Sequence, residues 1–115
     1  NNIKNYDEIK FMPFAQGVEK KLINWVGEDV ENKYFDYIKT KNINADLCQS
    51  RGNELKIVYT PIHGTGLIPC TRALKDLGLS NVFVVKEQAQ PDGNFPTVKS
   101  PNPENPEALA RAVKL

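Results

Sequence analysis

The feature that most limits what this chain can fold into is a pair of short β-branched runs separated by one helical pattern. The runs are "ELKIVYTPI" and "NVFVVKEQ", and between them "LIPCTRALKDLGL" repeats apolar residues at helical spacing. Strand, loop, helix and strand within about 30 residues have the length of a right-handed βαβ unit with parallel strands. We therefore predict an α/β fold in three layers, with a small, mixed but largely parallel sheet, flanking helices and a buried first strand.

Two further helices are predicted on either side of this unit. From Glu28, "EDVENKYFDYIKTK" places apolar residues at helical spacing and acids in its first turn. The apolar set is Val30, Tyr34, Tyr37 and Ile38. Near the other end, Asn105 is a predicted N-cap, Pro106 suits the first helical position, and Leu109 and Val113 are expected to face a core.

The segments between these elements are predicted to be irregular. Residues 1–17 show no clear period and are interpreted as an entry segment or linker with room for a short strand or a turn of helix, while the polar stretch "NINADLCQSRGN" is interpreted as a connection. Inside the βαβ unit, Pro69 is tolerable in the first helical turn and Gly78 is placed to cap the helix C-terminus.

Composition excludes several classes of protein. The length of 115 residues favours one domain, and a net charge of +1 without charge blocks argues against nucleic acid or an anionic membrane as partner. The N-terminus lacks the pattern of a signal peptide, and no apolar run approaches the roughly 20 residues of a membrane span. Cys48 and Cys70 have no metal-ligand or disulfide-framework spacing. A soluble, cytoplasmic protein is expected.

The stretch "YTPIHGTGLIP" joins the first strand to the following helix and is the main candidate site. Gly64 and Gly66 are expected to let the backbone turn tightly, Thr65 offers a hydroxyl, and His63 is the single histidine of the chain. Three interpretations stay open: a structural turn, a loop facing phosphate or sugar at a helix N-terminus, or a nucleotide site that lacks its usual glycine and lysine pattern. A catalytic base at His63 has less support, because no nucleophile motif accompanies it.

The proline-rich arm "AQPDGNFPTVKSPNPENPEAL" offers a similar choice. Its polar side chains either line a cleft or cap turns on the surface, and the second interpretation is favoured from sequence. The side chains concerned are Asp92, Asn94, Lys99 and Asn102.

Together, "KIVYTPIHGTG" and "VVKEQAQPDGNFPTVKSPNPENPEAL" resemble the second domain of the α-D-phosphohexomutase superfamily. The resemblance is to the branch that includes phosphoglucomutases and the related phosphopentomutases. Residues 1–17 are then similar to the lead-in from a first domain, and 18–115 to the second domain. The resemblance implies a four-domain enzyme that moves a phosphoryl group between a serine and a hexose phosphate through a bisphosphate. His63 to Gly66 would point toward the substrate cleft.

The same resemblance implies parts that this sequence does not contain. The family carries its phosphoserine in the first domain and holds Mg²⁺ on an Asp-Gly-Asp-x-Asp-Arg loop late in the second, and neither motif occurs here. We therefore expect a chain cut before its last strand, with no catalytic residue and no metal ligand of its own, inactive alone. A sheet edge left unpaired would favour weak self-association. The alternative is a freestanding phosphate-binding or interaction module.

Overall fold

The computed structural model of the chain describes residues 5–115 and divides into two compact units, with the boundary after Asn32. The first unit holds a short 3₁₀ turn at Tyr6–Glu8 and helix α1 at Phe14–Glu19. Helix α2, Glu28–Lys39, contains the boundary. The predicted lead-in begins outside the described residues, and its end at residue 17 stays a prediction.

The first unit buries little apolar surface among its described residues. Phe11, Phe14 and Trp25 are 86%, 60% and 79% exposed, although the rings of Phe14 and Trp25 meet edge to face at 6.2 Å between centroids. Gly17 is buried and lies close to the Ile23 side chain. A Cβ at this position would lie only 2.7 Å from the Ile23 Cδ1. This unit therefore leaves several large apolar side chains in contact with solvent.

The second unit contains the predicted βαβ arrangement. Strand β1, Ile57–Tyr59, and strand β2, Val82–Val84, run parallel in a two-stranded sheet, with Val58 paired to Phe83. Helix α4, Leu67–Asp76, connects them. It ends as the sequence predicts, because Gly78 has a φ of +89°, a left-handed conformation that closes helices and favours glycine. The α/β fold with flanking helices is confirmed.

The prediction that the first strand is buried is wrong for its central residue. Val58 and its partner Phe83 remain 40% and 44% exposed, whereas Ile57 and Tyr59 are partly covered. Successive side chains in a strand point to opposite faces of the sheet. Val58 and Phe83 thus form one apolar face that the described residues leave open.

Helix α2 buries a different side chain from those predicted. Phe35 is only 6% exposed, while Tyr34 and Tyr37 are each 57% exposed. The guanidinium of Arg72, on α4, lies 4.0 Å from the centroid of the Phe35 ring. A cation stacked on the ring face favours this orientation of the helix, and the apolar spacing alone did not reveal it.

The polar stretch predicted as a connection contains helix α3, Ala45–Arg51, followed by a 3₁₀ turn at Gly52–Glu54. A seven-residue helix is too short to be stable by itself in water, so tertiary contacts must support it. Gln49 donates a 3.3 Å hydrogen bond to the Asp76 carbonyl, and a Cβ at Gly52 would meet the Gly78 carbonyl oxygen at 2.5 Å. Close backbone approach holds α3 in place.

Helix α5, Pro106–Lys114, begins where predicted, although the Asn105 side chain makes no capping hydrogen bond. Its buried residue is Ala108, at 0% exposure. Leu109 is partly covered, but the prediction that Val113 faces a core is wrong, because Val113 is 84% exposed. In the part of the chain that the structure describes, no helix has the length and apolarity needed to cross a membrane.

The interior of the second unit combines apolar and polar side chains. Phe35, Ile62, Val85 and Ala108 are its buried hydrophobic residues. His63, at 6% exposure, and Gln88, at 0%, are buried beside them. Buried polar groups require hydrogen-bond partners, so these two residues lead directly to the candidate site.

Candidate functional site

The loop between β1 and α4 contains a left-handed turn at Pro61–Gly64. The Gly64 amide donates to the Pro61 carbonyl at 2.8 Å, and the two central residues, Ile62 and His63, have φ values of +48° and +59°. Positive φ at both centres is the pattern of a type I′ turn, which usually selects glycine or asparagine. Neither Gly64 nor Gly66 has a positive φ, so the left-handed residues of the turn are not its glycines. Gly64 instead provides space for the tight turn, because a Cβ there would lie 2.9 Å from the Pro61 carbonyl oxygen.

This turn is stabilised by hydrogen bonds to the backbone groups of its two central residues, Ile62 and His63. The Ile62 amide donates to the Thr60 hydroxyl at 3.1 Å, and the His63 amide donates to the Gln88 carbonyl at 2.9 Å. In return, the His63 carbonyl accepts the Asp92 amide at 3.0 Å. A left-handed conformation is unfavourable by about 1–2 kcal/mol for a residue with a Cβ. It persists only where the surroundings over-determine it, as these bonds do.

The His63 imidazole uses both ring nitrogens within the protein. Its Nδ1 lies 3.1 Å from the Gln90 carbonyl oxygen, and its Nε2 lies 2.9 Å from the Thr97 hydroxyl. Because a carbonyl can only accept, the Gln90 contact places the imidazole hydrogen on Nδ1. Nε2 of the neutral ring then accepts the hydroxyl hydrogen of Thr97. With both nitrogens engaged and the ring buried, the side chain is arranged to hold structure rather than to take a proton from a ligand.

Gln88 is the second centre of this arrangement, and sequence reasoning missed it. Its Oε1 accepts from the Thr60 hydroxyl at 2.7 Å. Its Nε2 donates to the Thr97 hydroxyl at 3.0 Å and to the Ala108 carbonyl at 3.4 Å. We call the four side chains of Thr60, Gln88, Thr97 and His63 the relay. Nothing in the periodicity of "VVKEQAQP" distinguishes this glutamine, because its role depends on partners far away in sequence.

The relay brings together the two sequence motifs that carry the family resemblance. It ties the glycine loop, through His63, to the arm, through Gln90 and Thr97. Among the described residues, no buried side-chain nitrogen or oxygen lacks a partner. The relay is thus a closed set of hydrogen bonds that fixes the loop against the arm.

The remaining predicted site residues form the outer part of the loop. Thr65 is exposed, and Gly64 and Gly66 are partly exposed. Gly66 is the N-cap position of α4, with a φ of −73° and a ψ of −10°. It is required for space, since a methyl group there would overlap the Tyr59 hydroxyl and approach the Cys70 Sγ to 3.4 Å. The Leu67 and Ile68 amides, in the first turn of α4, have no partners within the helix, whereas Pro69 has no N–H. The helix dipole makes this end favourable for anions.

Tyr59 lies beneath the helix N-terminus. Burial, a hydrogen bond with Cys70 and the charge of the Cys70 thiolate together raise the pKa of Tyr59 to about 12. Because a hydrogen bond that raises the pKa favours the neutral phenol, the phenol donates toward the sulfur. Tyr59 therefore stays neutral under ordinary conditions and serves as packing for the loop.

The arm side chains mostly stabilise turns. The Asp92 carboxylate accepts the Asn94 amide at 2.9 Å, and the Asn102 side chain accepts the Glu104 amide at 3.0 Å. Both are local turn contacts, as the favoured sequence interpretation predicts. Lys99 is exposed.

Residues 5–115 contain no cluster of side chains with metal-ligand geometry. No three histidine, cysteine, aspartate or glutamate residues in this range lie close enough to hold a metal ion. The acids of the chain therefore do not fit a Mg²⁺ site by themselves.

Comparison with known proteins is consistent with this geometry. Residues 32–115 match the family model described as phosphoglucomutase/phosphomannomutase, alpha/beta/alpha domain II. The chain is 37% identical over 114 residues to a phosphoglucomutase of Staphylococcus haemolyticus, covering 99% of this chain and 20% of that protein. It is 41% identical over 71 residues to a probable phosphomannomutase of Haemophilus influenzae, covering 62% of this chain and 15% of that protein.

A phosphomannomutase of Mycoplasmoides pirum is 36% identical over 87 residues, which cover 76% of this chain and 16% of that protein. No solved structure matches the chain significantly. The chain spans at most about a fifth of the length of these relatives. Its match to the domain model, which contains both the glycine loop and the arm, shows that the chain belongs to the phosphoglucomutase/phosphomannomutase family and corresponds to its α/β/α domain II.

Proposed function

We propose that this chain is part of an enzyme that interconverts hexose 1-phosphate and hexose 6-phosphate through a phosphoserine and a bisphosphate intermediate. The relatives include both phosphoglucomutases and phosphomannomutases, which supports a hexose phosphate substrate without selecting the sugar. In this reaction the phosphoserine gives its phosphoryl group to a substrate hydroxyl, and the resulting bisphosphate returns its other phosphoryl group to the serine. We propose the cytoplasm as its location.

The contribution of this chain is one wall of the substrate cleft. The observation that carries this proposal is the relay, which fixes the exposed Thr65 and the partly exposed Gly66 between the carboxyl end of β1 and the N-terminus of α4. Ligands of open α/β sheets bind outside the carboxyl ends of the strands. Backbone amides and a helix dipole at this position suit a phosphate group.

The serine and the metal of the proposed reaction are assigned to other parts of the longer enzyme. Mg²⁺ would stabilise the charge of the transferred group. Because the described residues offer no ligand set for it, no step is assigned to the metal in this chain. We expect the 115-residue chain alone to show no mutase activity.

Exposed apolar surfaces support contacts with the other domains of such an enzyme. The open sheet face of Val58 and Phe83, and the exposed Phe11 and Trp25 of the first unit, are large hydrophobic groups in contact with solvent. Exposed apolar patches commonly mark interaction surfaces. We propose that neighbouring domains of the same polypeptide cover them.

The test is a charge substitution at the loop tip of the longer enzyme. Thr65→Glu places a negative charge where phosphate is proposed to approach, and we expect kcat/KM for glucose 1-phosphate to fall by about 10- to 100-fold, because like charges repel. Thr65→Gln, equal in size but neutral, controls for bulk and should lose much less. Equal losses of kcat/KM in the two variants would refute the proposal that phosphate approaches this loop. Absence of mutase activity in the parental enzyme would refute the proposed reaction.

A freestanding phosphate-binding module is the second candidate, favoured by the Leu67 and Ile68 amides, which have no partner within α4. It predicts amide chemical-shift changes confined to residues 63–67 when glucose 1-phosphate is added to the 115-residue chain at low millimolar concentration. A cleft wall that needs the other domains predicts no such saturable response. A pure interaction domain also predicts none, and it would leave Thr65→Glu and Thr65→Gln equally active.

A further inference from the structure

We propose that the relay is a directional positioning device for the phosphoryl transfer assigned above, with Gln88 and His63 acting only through the loop Gly64–Gly66. The inference rests on the proposed function for its kinetic consequence. The direction of the hydrogen bonds in the relay does not depend on that function.

The direction of the relay starts at the Gln88 amide. The Ala108 carbonyl lies 3.4 Å from Nε2, and a carbonyl offers no hydrogen to donate. If the amide were turned over, two acceptor oxygens would face each other in a fully buried place. Ala108 therefore fixes Nε2 on the side of Thr97 and Oε1 on the side of Thr60.

The remaining hydrogens follow from this orientation. The Gln90 carbonyl can only accept, so the neutral His63 ring carries its hydrogen on Nδ1. The Thr97 oxygen accepts from Gln88 Nε2 at 3.0 Å, and its own hydrogen donates to His63 Nε2 at 2.9 Å. On the other side, the Thr60 hydroxyl accepts the Ile62 amide and donates to Gln88 Oε1. Each hydrogen has one acceptor, and the set has one consistent direction.

The relay matters because the turn that it holds does not suit its residues. Ile62 and His63 are left-handed at φ +48° and +59°, a conformation that β-branched and bulky side chains normally avoid. The turn leads directly into the segment Gly64–Gly66, in which Thr65 is exposed and both glycines are partly exposed. If the relay opens, the turn is free to relax, and the amides proposed to meet phosphate move with it. A displacement of about 1 Å in such a group can lower a catalytic rate by about 100-fold.

Gln88→Glu tests the direction with almost no change of shape. A carboxylate in this position has no hydrogens for Thr97 or for the Ala108 carbonyl. Thr97 would then donate to it and no longer to His63. In the longer enzyme we expect kcat/KM for glucose 1-phosphate to fall by about 100-fold. Gln16→Glu makes the same chemical change at an exposed position of α1 and should leave kcat/KM unchanged. Equal activity of the two variants would overturn the proposal.

Two conservative substitutions separate positioning from proton transfer and from mere stability. Thr97→Ser keeps the hydroxyl and should retain most of the activity, whereas Thr97→Val should lose as much as Gln88→Glu. His63→Asn cannot act as a base, yet asparagine tolerates left-handed φ and its amide can still donate to Gln90. It should retain more activity than His63→Ala. If both His63 variants abolish turnover equally while remaining folded by circular dichroism, His63 is not a positioning residue.

A spectroscopic measurement tests the relay without reference to activity. His63 is the only histidine of the chain, so ¹⁵N-labelled imidazole signals of the 115-residue protein belong to it alone. We expect a protonated Nδ1 and an unprotonated Nε2, and a shifted Nε2 signal in Gln88→Glu, where Thr97 no longer donates to this nitrogen. The opposite tautomer would overturn the direction of the relay. A missing mutase activity combined with the expected tautomer would refute the proposed function and leave the relay intact.

Discussion

Gly66 is predicted to be essential because of the Tyr59 hydroxyl and not because of its backbone conformation. With a φ of −73° and a ψ of −10°, Gly66 occupies a region open to every L-amino acid. The methyl group of an alanine would, however, overlap the Tyr59 hydroxyl, with the Cys70 Sγ at 3.4 Å and the Tyr59 Cζ at 3.8 Å as its next neighbours. Removing the hydroxyl alone should therefore restore the space.

The magnitude follows from three contributions. Overpacking in a filled site destabilises by about 1–3 kcal/mol. Loss of glycine flexibility in the unfolded chain stabilises by about 0.4–1 kcal/mol. Alanine is also a poorer N-cap than glycine, by several tenths of a kcal/mol up to about 1 kcal/mol. We expect Gly66→Ala to lower the free energy of unfolding by about 2 kcal/mol in the presence of Tyr59.

A double-mutant cycle isolates the steric part. The capping and entropy contributions occur with or without the hydroxyl, so they cancel when Gly66→Ala is compared in the parental protein and in Tyr59→Phe. We expect a coupling free energy of about 1–2 kcal/mol, with Gly66→Ala nearly neutral in Tyr59→Phe. The assay is urea unfolding followed by circular dichroism, with equal slopes required for all four proteins. A coupling below about 0.5 kcal/mol would show that the hydroxyl does not define the space at Gly66.

Three further outcomes are expected. The pKa of Tyr59 is about 12 in the folded protein and 10.0 in the unfolded chain, so the fold favours the neutral phenol. The contribution of this preference to the free energy of unfolding is fully present below pH 10 and is lost as the pH rises toward 12. After allowance for partial exposure, the free energy of unfolding should fall by about 1 kcal/mol over this range, as measured by urea unfolding at rising pH. Tyr59→Phe should not show this loss, and identical pH profiles of the two proteins would contradict the prediction. Gly78→Ala should destabilise by at least about 2 kcal/mol in the same assay, because Gly78 has a φ of +89° and its Cβ would lie 2.6 Å from the Cys48 carbonyl oxygen; a neutral effect would contradict the left-handed cap. Since the two strands pair only with each other among the described residues, the 115-residue chain should self-associate weakly through a sheet edge, and a sedimentation coefficient independent of concentration would argue against this.

The parts of the fold that local sequence determines were predictable. The βαβ unit is encoded by β-branched runs and a helical pattern that lie side by side in the chain, and Gly78 marks the end of α4 by its own conformational preference. The loop from His63 to Gly66 was recognisable as a candidate site because it follows β1 directly. These features depend on interactions within about one turn or one strand.

The parts that escaped prediction depend on distant partners. Phe35 packs against the guanidinium of Arg72, and the backbone of α3 closely approaches that of Gly78, after α4. At the candidate site, an isoleucine and a histidine adopt a turn that their own preferences oppose. Gln88 became recognisable only when Thr60 and Thr97, 28 residues before it and 9 residues after it, met its amide. No periodicity encodes such contacts.

The bonds around His63 also determine how this region opens to solvent. Its amide donates to the Gln88 carbonyl, and its carbonyl accepts the Asp92 amide. Neither amide can exchange its hydrogen without separating the loop from the arm, and Thr97 must release the imidazole in the same event. The two amides should therefore share one opening free energy and exchange with deuterium as a pair. The loop and the arm, remote in sequence, thus behave as one cooperative unit, and a change that loosens either one raises the exchange rate of both.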